Sequence, residues 1–178
     1  MSLRRPFRES PMKEPRVLRN ILARCVLATI ACAGAAAAQD APTKPPAIEA
    51  FGKGLQIYAC KPASAAYAWT LKAPEASLSD AKGNVVGKHF AGPSWQASDG
   101  STVVGEALNA SPSPDAGAIP WLVLHAKSHT GSGTMANVAY VVRTRTEGGV
   151  APATGCDASH VNAEVRVPYS AVYLFFPD

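Results

Sequence analysis

Residues 55–60 read Leu-Gln-Ile-Tyr-Ala-Cys, and the alternation in this stretch indicates the fold class of the chain. In an extended strand, positions 55, 57 and 59 form one face, and positions 56, 58 and 60 form the other. Residues 138–145 (VAYVVRTR) and 163–167 (AEVRV) alternate in the same way, and residues 121–126 (WLVLHA) are a nearly continuous apolar run. These patterns are typical of β-strands.

Turn residues separate these strands at short intervals. Residues 80–84 (DAKGN), 99–100 (DG) and 131–133 (GSG) lie between apolar runs, and Asp-Gly in that position favours a hairpin. With 15 prolines and 14 glycines, no long uninterrupted helical window remains, so we expect at most a turn or two of helix near residues 63–66. The sequence therefore predicts an all-β domain, an antiparallel β-sandwich or barrel with little helix.

The last run of the chain, residues 167–176 (VPYSAVYLFF), is apolar on both faces. This pattern is typical of a strand buried in the middle of a sheet. An aromatic row that binds sugars is the alternative interpretation.

The four cysteines fall into two pairs. Cys25 and Cys32 lie in an apolar, alanine-rich stretch near the N-terminus, whereas Cys60 and Cys156 lie near opposite ends of the remaining chain. In an exported domain, two such cysteines predict one disulfide, Cys60–Cys156. The alternative is a pair of reduced, buried thiols.

The N-terminal segment has the three parts of a secretory signal: a basic region, a short apolar core and small residues at Ala36 and Ala38. We expect a signal peptide over residues 1–38, a Pro/Ala-rich tether over 39–50 and one β domain over 51–178. Translation could start at Met1 or Met12.

The apolar core of the N-terminal segment is shorter than the roughly 20 residues of a membrane span. The residues before Cys32 lack the leucine of a lipobox, which argues against a lipoprotein. The expected location is periplasmic or secreted.

Charge excludes one class of partner. Residues 1–38 carry seven of the 17 basic and two of the 13 acidic residues, so the expected mature chain has ten basic and eleven acidic residues. The sequence pI of about 9.0 therefore comes from the presequence. No basic patch is expected to remain for nucleic acid, and no transmembrane segment is expected in the mature chain.

Residues 87–101 hold the densest group of chemically versatile side chains. His89, Trp95 and Asp99 could line a pocket, and Arg143 could join them from another strand. The alternative is architectural: two strands, a Gly-Pro turn and an Asp-Gly hairpin, with Trp95 in the core.

Other kinds of site have weaker signals in the sequence. Arg143 and Arg145 are expected on one face of a strand beside Glu147, as a partly solvated ion-paired row. His125 and His129 have the spacing of a helical metal site, but on a strand they would lie roughly 13 Å apart. We therefore predict no metal site and no cofactor, and the catalytic residues stay unknown.

With these residues in view, the chain resembles a family of exported bacterial and fungal proteins catalogued as domain of unknown function 3455. The resemblance covers about residues 54–176. Some fungal members carry dehydrogenase labels, but the chain has no Gly-x-Gly-x-x-Gly turn between a strand and a helix, so the resemblance implies no nicotinamide cofactor. The resemblance is carried by ordered blocks at 56–60 (QIYAC), 89–95 (HFAGPSW), 99–101 (DGS), 119–122 (IPWL), 141–143 (VVR), 146–149 (TEGG), 155–156 (GC) and 168–171 (PYSA).

Three functions agree with this pattern. The first is a non-catalytic module that binds a ligand, such as a small molecule or a glycan, or associates with the cell envelope. The second is a small exported hydrolase-like enzyme that uses His89 and Asp99. The third is a structural or partner-binding protein.

Overall fold

The computed structural model describes residues 44–64 and 66–178 of the 178-residue chain. The expected signal peptide, including Cys25 and Cys32, lies outside the described residues, as does the start of the expected tether. The elements, in chain order, are β1 (Ile48–Pro62), β2 (Tyr67–Ser79), β3 (Val85–Phe90), β4 (Ser94–Ala97), β5 (Thr102–Ser111), β6 (Trp121–Thr130), β7 (Val138–Gly148), a 3-10 helix (Ala158–His160) and β8 (Glu164–Pro177).

The strands form a closed antiparallel barrel in which each strand pairs with its neighbours in the chain. Closure comes from β1 and β8, which pair from Ile48 opposite Phe175 to Ala59 opposite Glu164. The predicted all-β antiparallel fold is therefore confirmed, and of the two predicted architectures the chain adopts the barrel. β1 begins at Ile48 and so includes the last three residues of the expected tether.

Inward-facing side chains form the hydrophobic core of the barrel. On β8, Tyr169, Ala171, Tyr173 and Phe175 alternate with outward positions, and all four are buried in the core. Removing a large apolar side chain from water contributes about 1.5–3 kcal/mol, so this alternation specifies the register of β8. The other large core side chains include Leu78, Trp95, Val103, Leu124 and Val141.

The barrel has two different ends. The β2–β3, β4–β5 and β6–β7 turns lie at one end, which we call the hairpin end. The β1–β2, β5–β6 and β7–β8 connections lie at the other, the disulfide end, where Cys60 is bonded to Cys156. The predicted disulfide is therefore confirmed. The expected helical turn near residues 63–66 is absent from its described residues, Ala63, Ser64 and Ala66, and the 3-10 helix lies in the β7–β8 connection instead.

The wall of the barrel is incomplete towards the disulfide end. β3 pairs only with residues 76–79 of β2, and β4 pairs only with residues 102–104 of β5. Within the described part of the chain, the remaining residues of β2 have no strand partner on the edge that faces β3. The remaining residues of β5 likewise have none on the edge that faces β4. Leu71, which faces inward opposite Tyr58, is consequently 52% exposed, and Leu108, in a bulge of β5, is 55% exposed. We call the gap between Leu71 and Leu108 the side window.

Within residues 44–64 and 66–178, no helix has the length and hydrophobicity needed to cross a membrane.

Candidate functional site

His89 and Trp95 form a stacked pair inside the barrel. They lie opposite each other on β3 and β4, their ring centroids are 4.6 Å apart, and the rings are within 8° of parallel. His89 is 3% exposed and Trp95 is 1% exposed. Trp95 also meets Tyr173 and Phe175 edge-on. Two of the predicted site residues are thus brought together, but as part of the core.

Burial keeps His89 neutral. Its Nδ1 lies 2.9 Å from the Ser94 carbonyl oxygen, which can only accept, so Nδ1 carries the proton of the neutral ring. Desolvation lowers the His89 pKa to about 4; the Ser94 contact opposes the shift, and the positive charge of Arg143 adds to it. The imidazole is therefore uncharged at neutral pH.

The free energy of unfolding is expected to fall by up to about 3 kcal/mol as the pH drops from about 6.5 to about 4. Over this range His89 binds a proton in the unfolded chain but not in the folded barrel, so protonation favours unfolding. Urea denaturation at pH 7 and pH 5 measures the effect.

A His89→Gln variant is the control for this pH dependence, and its stability should change less between pH 7 and pH 5. The carboxyl groups whose pKa is lowered, such as Asp157, contribute only at more acidic pH. A wild-type protein that is equally stable at pH 7 and pH 5 would contradict a neutral, buried His89.

Arg143 also faces the interior, from β7. Its Nε and Nη2 donate to the Pro120 carbonyl oxygen at 3.1 and 2.8 Å, and it lies opposite Tyr173 in the register. Arg145 instead lies on the outer surface, where it pairs with Glu49 at 2.8 Å. The expected ion-paired row of Arg143 and Arg145 is therefore wrong, because a bulge follows Thr144 and Arg145 has a φ of 45°.

Three tyrosines surround Arg143. Tyr58 donates its hydroxyl to the Gly149 carbonyl at 2.6 Å, and the Tyr169 and Tyr173 hydroxyls are 3.2 Å apart. Burial raises the pKa of all three phenols, so they are neutral. Burial also lowers the pKa of Arg143, which nevertheless stays charged because guanidinium is so strong a base. We call these four residues the arginine–tyrosine cluster.

Two buried polar atoms near this cluster have no hydrogen-bond partner: Gln56 Oε1 and Trp95 Nε1. Gln56 is 2% exposed, and its side chain adjoins Gly149, which also packs against Tyr169. An unpaired buried polar atom costs about 1–3 kcal/mol, which is why such atoms usually have partners. The barrel interior therefore contains unused hydrogen-bonding capacity.

Asp99 lies at the hairpin end. One carboxylate oxygen accepts from Ser101 N and Oγ, and the other accepts from Thr134 N and Oγ1, at 2.5–2.9 Å. These bonds hold the Asp99 pKa well below its usual range and tie the β4–β5 hairpin to the β6–β7 loop. None of them involves His89, so the structure does not bring Asp99 together with His89 and Trp95.

An apolar cavity of about 460 Å³ opens at the hairpin end. Inward-facing Ala50, Leu78, Ala97 and Met135 belong to both its lining and the hydrophobic core. Asp80, Asp99 and Glu49 lie at its rim. We call it the mouth cavity.

A second groove of about 520 Å³ lies along β6 and β7, beside the C-terminal residues Pro177 and Asp178. His125 and His129 both line it. The His129 Nε2, however, lies 2.7 Å from the Val138 carbonyl, and His125 packs edge-on against Tyr140. Among the described residues, no three His, Cys, Asp or Glu side chains are grouped to hold a metal ion.

A family model described as protein of unknown function (DUF3455) matches residues 41–177, which include all eight strands of the barrel. The chain belongs to this family. The suspected membership in the DUF3455 family is thereby confirmed. No curated protein and no solved structure matches the chain significantly.

Sequence reasoning missed most of the interior cluster of this DUF3455 protein. Alternation puts Gln56 and Tyr58 on one face of a strand, and Tyr169 and Tyr173 on one face of another. Nothing in the sequence indicates that these two strands, β1 and β8, are neighbours. The available signal was Gln56 itself, because a glutamine on a strand face shared with Tyr58 and Cys60 is unusual for a core position.

Proposed function

We propose that this protein is a non-catalytic binding protein that holds a small, largely apolar molecule in the mouth cavity. The observation that carries the proposal is the cavity itself, an apolar recess of about 460 Å³ at the open end of a closed barrel. The mouths of β-barrels are frequent sites for small ligands, and ligand pockets typically have volumes of about 300–1,000 Å³.

The residues that line the mouth cavity can adapt to apolar ligands of different shapes. Ala50 and Ala97 leave space because their side chains are small, and Met135 at the inner side can adopt several conformations. The rim favours neutral or cationic ligands over anionic ones, because Asp80 and Asp99 both have a lowered pKa and stay ionised. Glu49 contributes less, since Arg145 pairs with it.

The hydrolase-like alternative has less support. A general base must reach its substrate, whereas His89 is 3% exposed and its Nδ1 is engaged with Ser94. Asp99 would have to give up four hydrogen bonds to act on a substrate. Both residues suit structural positions better than catalytic ones.

We further propose that the protein works outside the cytoplasm, in the periplasm or as a secreted protein. The Cys60–Cys156 disulfide supports this location, because disulfides persist mainly in oxidising compartments. Mass determination of the protein recovered from the extracytoplasmic fraction would test it, with cleavage expected before Gln39.

Filling the mouth cavity should abolish binding of an apolar probe. We expect Nile red, a neutral apolar dye, to bind the purified domain saturably with a rise in fluorescence. In an Ala97→Leu variant the larger side chain occupies the cavity, and the affinity should fall about tenfold or more. A fluorescence titration measures both affinities.

Ala68→Leu is the matched control, because Ala68 lies on the exposed face of β2 and this variant should bind like the wild type. If Ala97→Leu fails to fold, Met135→Ala supplies a second test by enlarging the cavity and changing the affinity. Equal titrations for the wild type, Ala97→Leu and Met135→Ala would refute the proposal.

A further inference from the structure

We infer that the barrel interior holds a second binding site, for a small hydroxycarboxylate with an apolar body, in which Arg143 holds the carboxylate. This site is distinct from the mouth cavity, because it lies in the arginine–tyrosine cluster and is reached through the side window.

The first argument is charge. Arg143 is half-buried, and two of its five N–H groups donate to one carbonyl oxygen, that of Pro120. Arg143 also lies opposite Tyr173 in the register of β7 and β8. The other barrel arginines that form ion pairs, Arg145 and Arg166, each have a glutamate partner. Within the described residues, Arg143 has no carboxylate partner.

A partly desolvated guanidinium without an anion is unusual, because buried charges are normally paired. Arginine is also the residue best shaped to hold a carboxylate through two parallel hydrogen bonds. The neighbouring phenols carry no charge of their own at neutral pH, since burial raises the pKa of Tyr58, Tyr169 and Tyr173. An external carboxylate would supply the missing negative charge.

The second argument is the unpaired Gln56 Oε1, on a side chain that is 2% exposed. Gln56 adjoins Gly149, whose carbonyl accepts from Tyr58, and Gly149 packs against Tyr169. The free amide oxygen therefore lies beside the arginine–tyrosine cluster. Because this atom can only accept a hydrogen bond, the ligand should carry a donor, and a hydroxyl group is the simplest one.

The third argument is access. In a closed eight-stranded barrel, β3 and β4 lie across from β7 and β8, so the side window faces the wall that carries Arg143 and Tyr173. Leu71 and Leu108 border this window with exposed apolar surface. Leu71 lies opposite Tyr58 of the cluster in the register, so the exposed apolar surface of the window leads directly to that residue. Such a path suits a ligand with an apolar or aromatic body.

Mandelate has a carboxylate, a hydroxyl group and an aromatic body. Two close analogues each lack one of these features. Phenylacetate lacks the hydroxyl, and methyl mandelate lacks the negative charge. Isothermal titration calorimetry of the intact, oxidised domain should show that mandelate binds more tightly than phenylacetate and that methyl mandelate binds at least about tenfold more weakly. Binding of methyl mandelate equal to that of mandelate would overturn the role of the charge.

Arg143→Gln should weaken mandelate binding about tenfold or more. Arg145→Gln is the matched control: it removes the same charge from the outer surface two residues away and should leave binding unchanged. Gln56→Met should remove the preference for mandelate over phenylacetate. Nile red binding at the mouth cavity should be the same in all these variants, so failure of either proposal can be told from failure of the other.

Arg143→Lys covers the case in which Arg143→Gln does not fold. It keeps the charge but loses the planar pair of donors, so mandelate should bind with an affinity between those of the wild type and methyl mandelate. The inference is overturned if mandelate does not bind the wild type, or if Arg145→Gln weakens binding as much as Arg143→Gln does.

Discussion

Reduction of the Cys60–Cys156 disulfide is expected to lower the free energy of unfolding by about 4–5 kcal/mol. The bond joins residues 96 positions apart, so reducing it releases a loop of most of the domain in the unfolded chain. The total stability of such a domain is about 5–15 kcal/mol, so the disulfide contributes a large share of it. Urea denaturation with and without a thiol reductant measures the difference.

A double variant, Cys60→Ser with Cys156→Ser, is the control for this experiment. Its stability should match that of the reduced wild type and should not change when reductant is added. The intact oxidised protein should also be about 2 Da lighter than the reduced form, as a single bonded pair requires. Two thiols that can be alkylated in the folded, unreduced protein would contradict the prediction.

The sequence predicted the strands and the disulfide, but it left the architecture open between sandwich and barrel. Alternation within a strand reports which residues share a face, and this is local information. Closure depends on the pairing of β1 with β8, which joins Ile48 to Phe175 at the opposite end of the chain. A pairing over that separation has no local signature, so it could not be read from the sequence.

The candidate site also depends on long-range contacts that cannot be predicted from the sequence. His89 and Trp95 are close in the sequence, and their proximity was predictable from the turn between them. Asp99 is almost as close in sequence, yet its carboxylate is engaged with Ser101 and Thr134 at the hairpin end. Hydrogen bonding to a loop some 35 residues away decided its role, and no spacing rule anticipates such a contact.

Arg143 illustrates how one irregular residue changes a face. Regular alternation places Arg143 and Arg145 together, but Arg145 has a φ of 45° within a bulge. The bulge turns Arg145 to the outer surface towards Glu49, while Arg143 stays inside. β-Bulges re-aim single side chains in this way and are hard to detect in one sequence. The arginine–tyrosine cluster therefore emerged only from the structure.

Trp95→Ala is expected to lower the free energy of unfolding by about 3–5 kcal/mol, the usual cost of removing a large buried aromatic side chain. Trp95 is 1% exposed, stacks on His89 and meets Tyr173 and Phe175 edge-on. Its loss would leave a cavity lined by these three rings. Urea denaturation at neutral pH, followed by circular dichroism, measures the change.

Trp95→Phe should cost less, about 1–2 kcal/mol, because the smaller ring keeps part of the packing and removes the unpaired Nε1 donor. Trp69→Ala is the control, since Trp69 is only partly buried at the disulfide end, and its cost should be smaller than that of Trp95→Ala. If Trp95→Ala left stability nearly unchanged but abolished binding of mandelate, Trp95 would belong to a ligand site. Its burial in the aromatic core favours the opposite outcome, in which stability falls first and any loss of binding follows from unfolding.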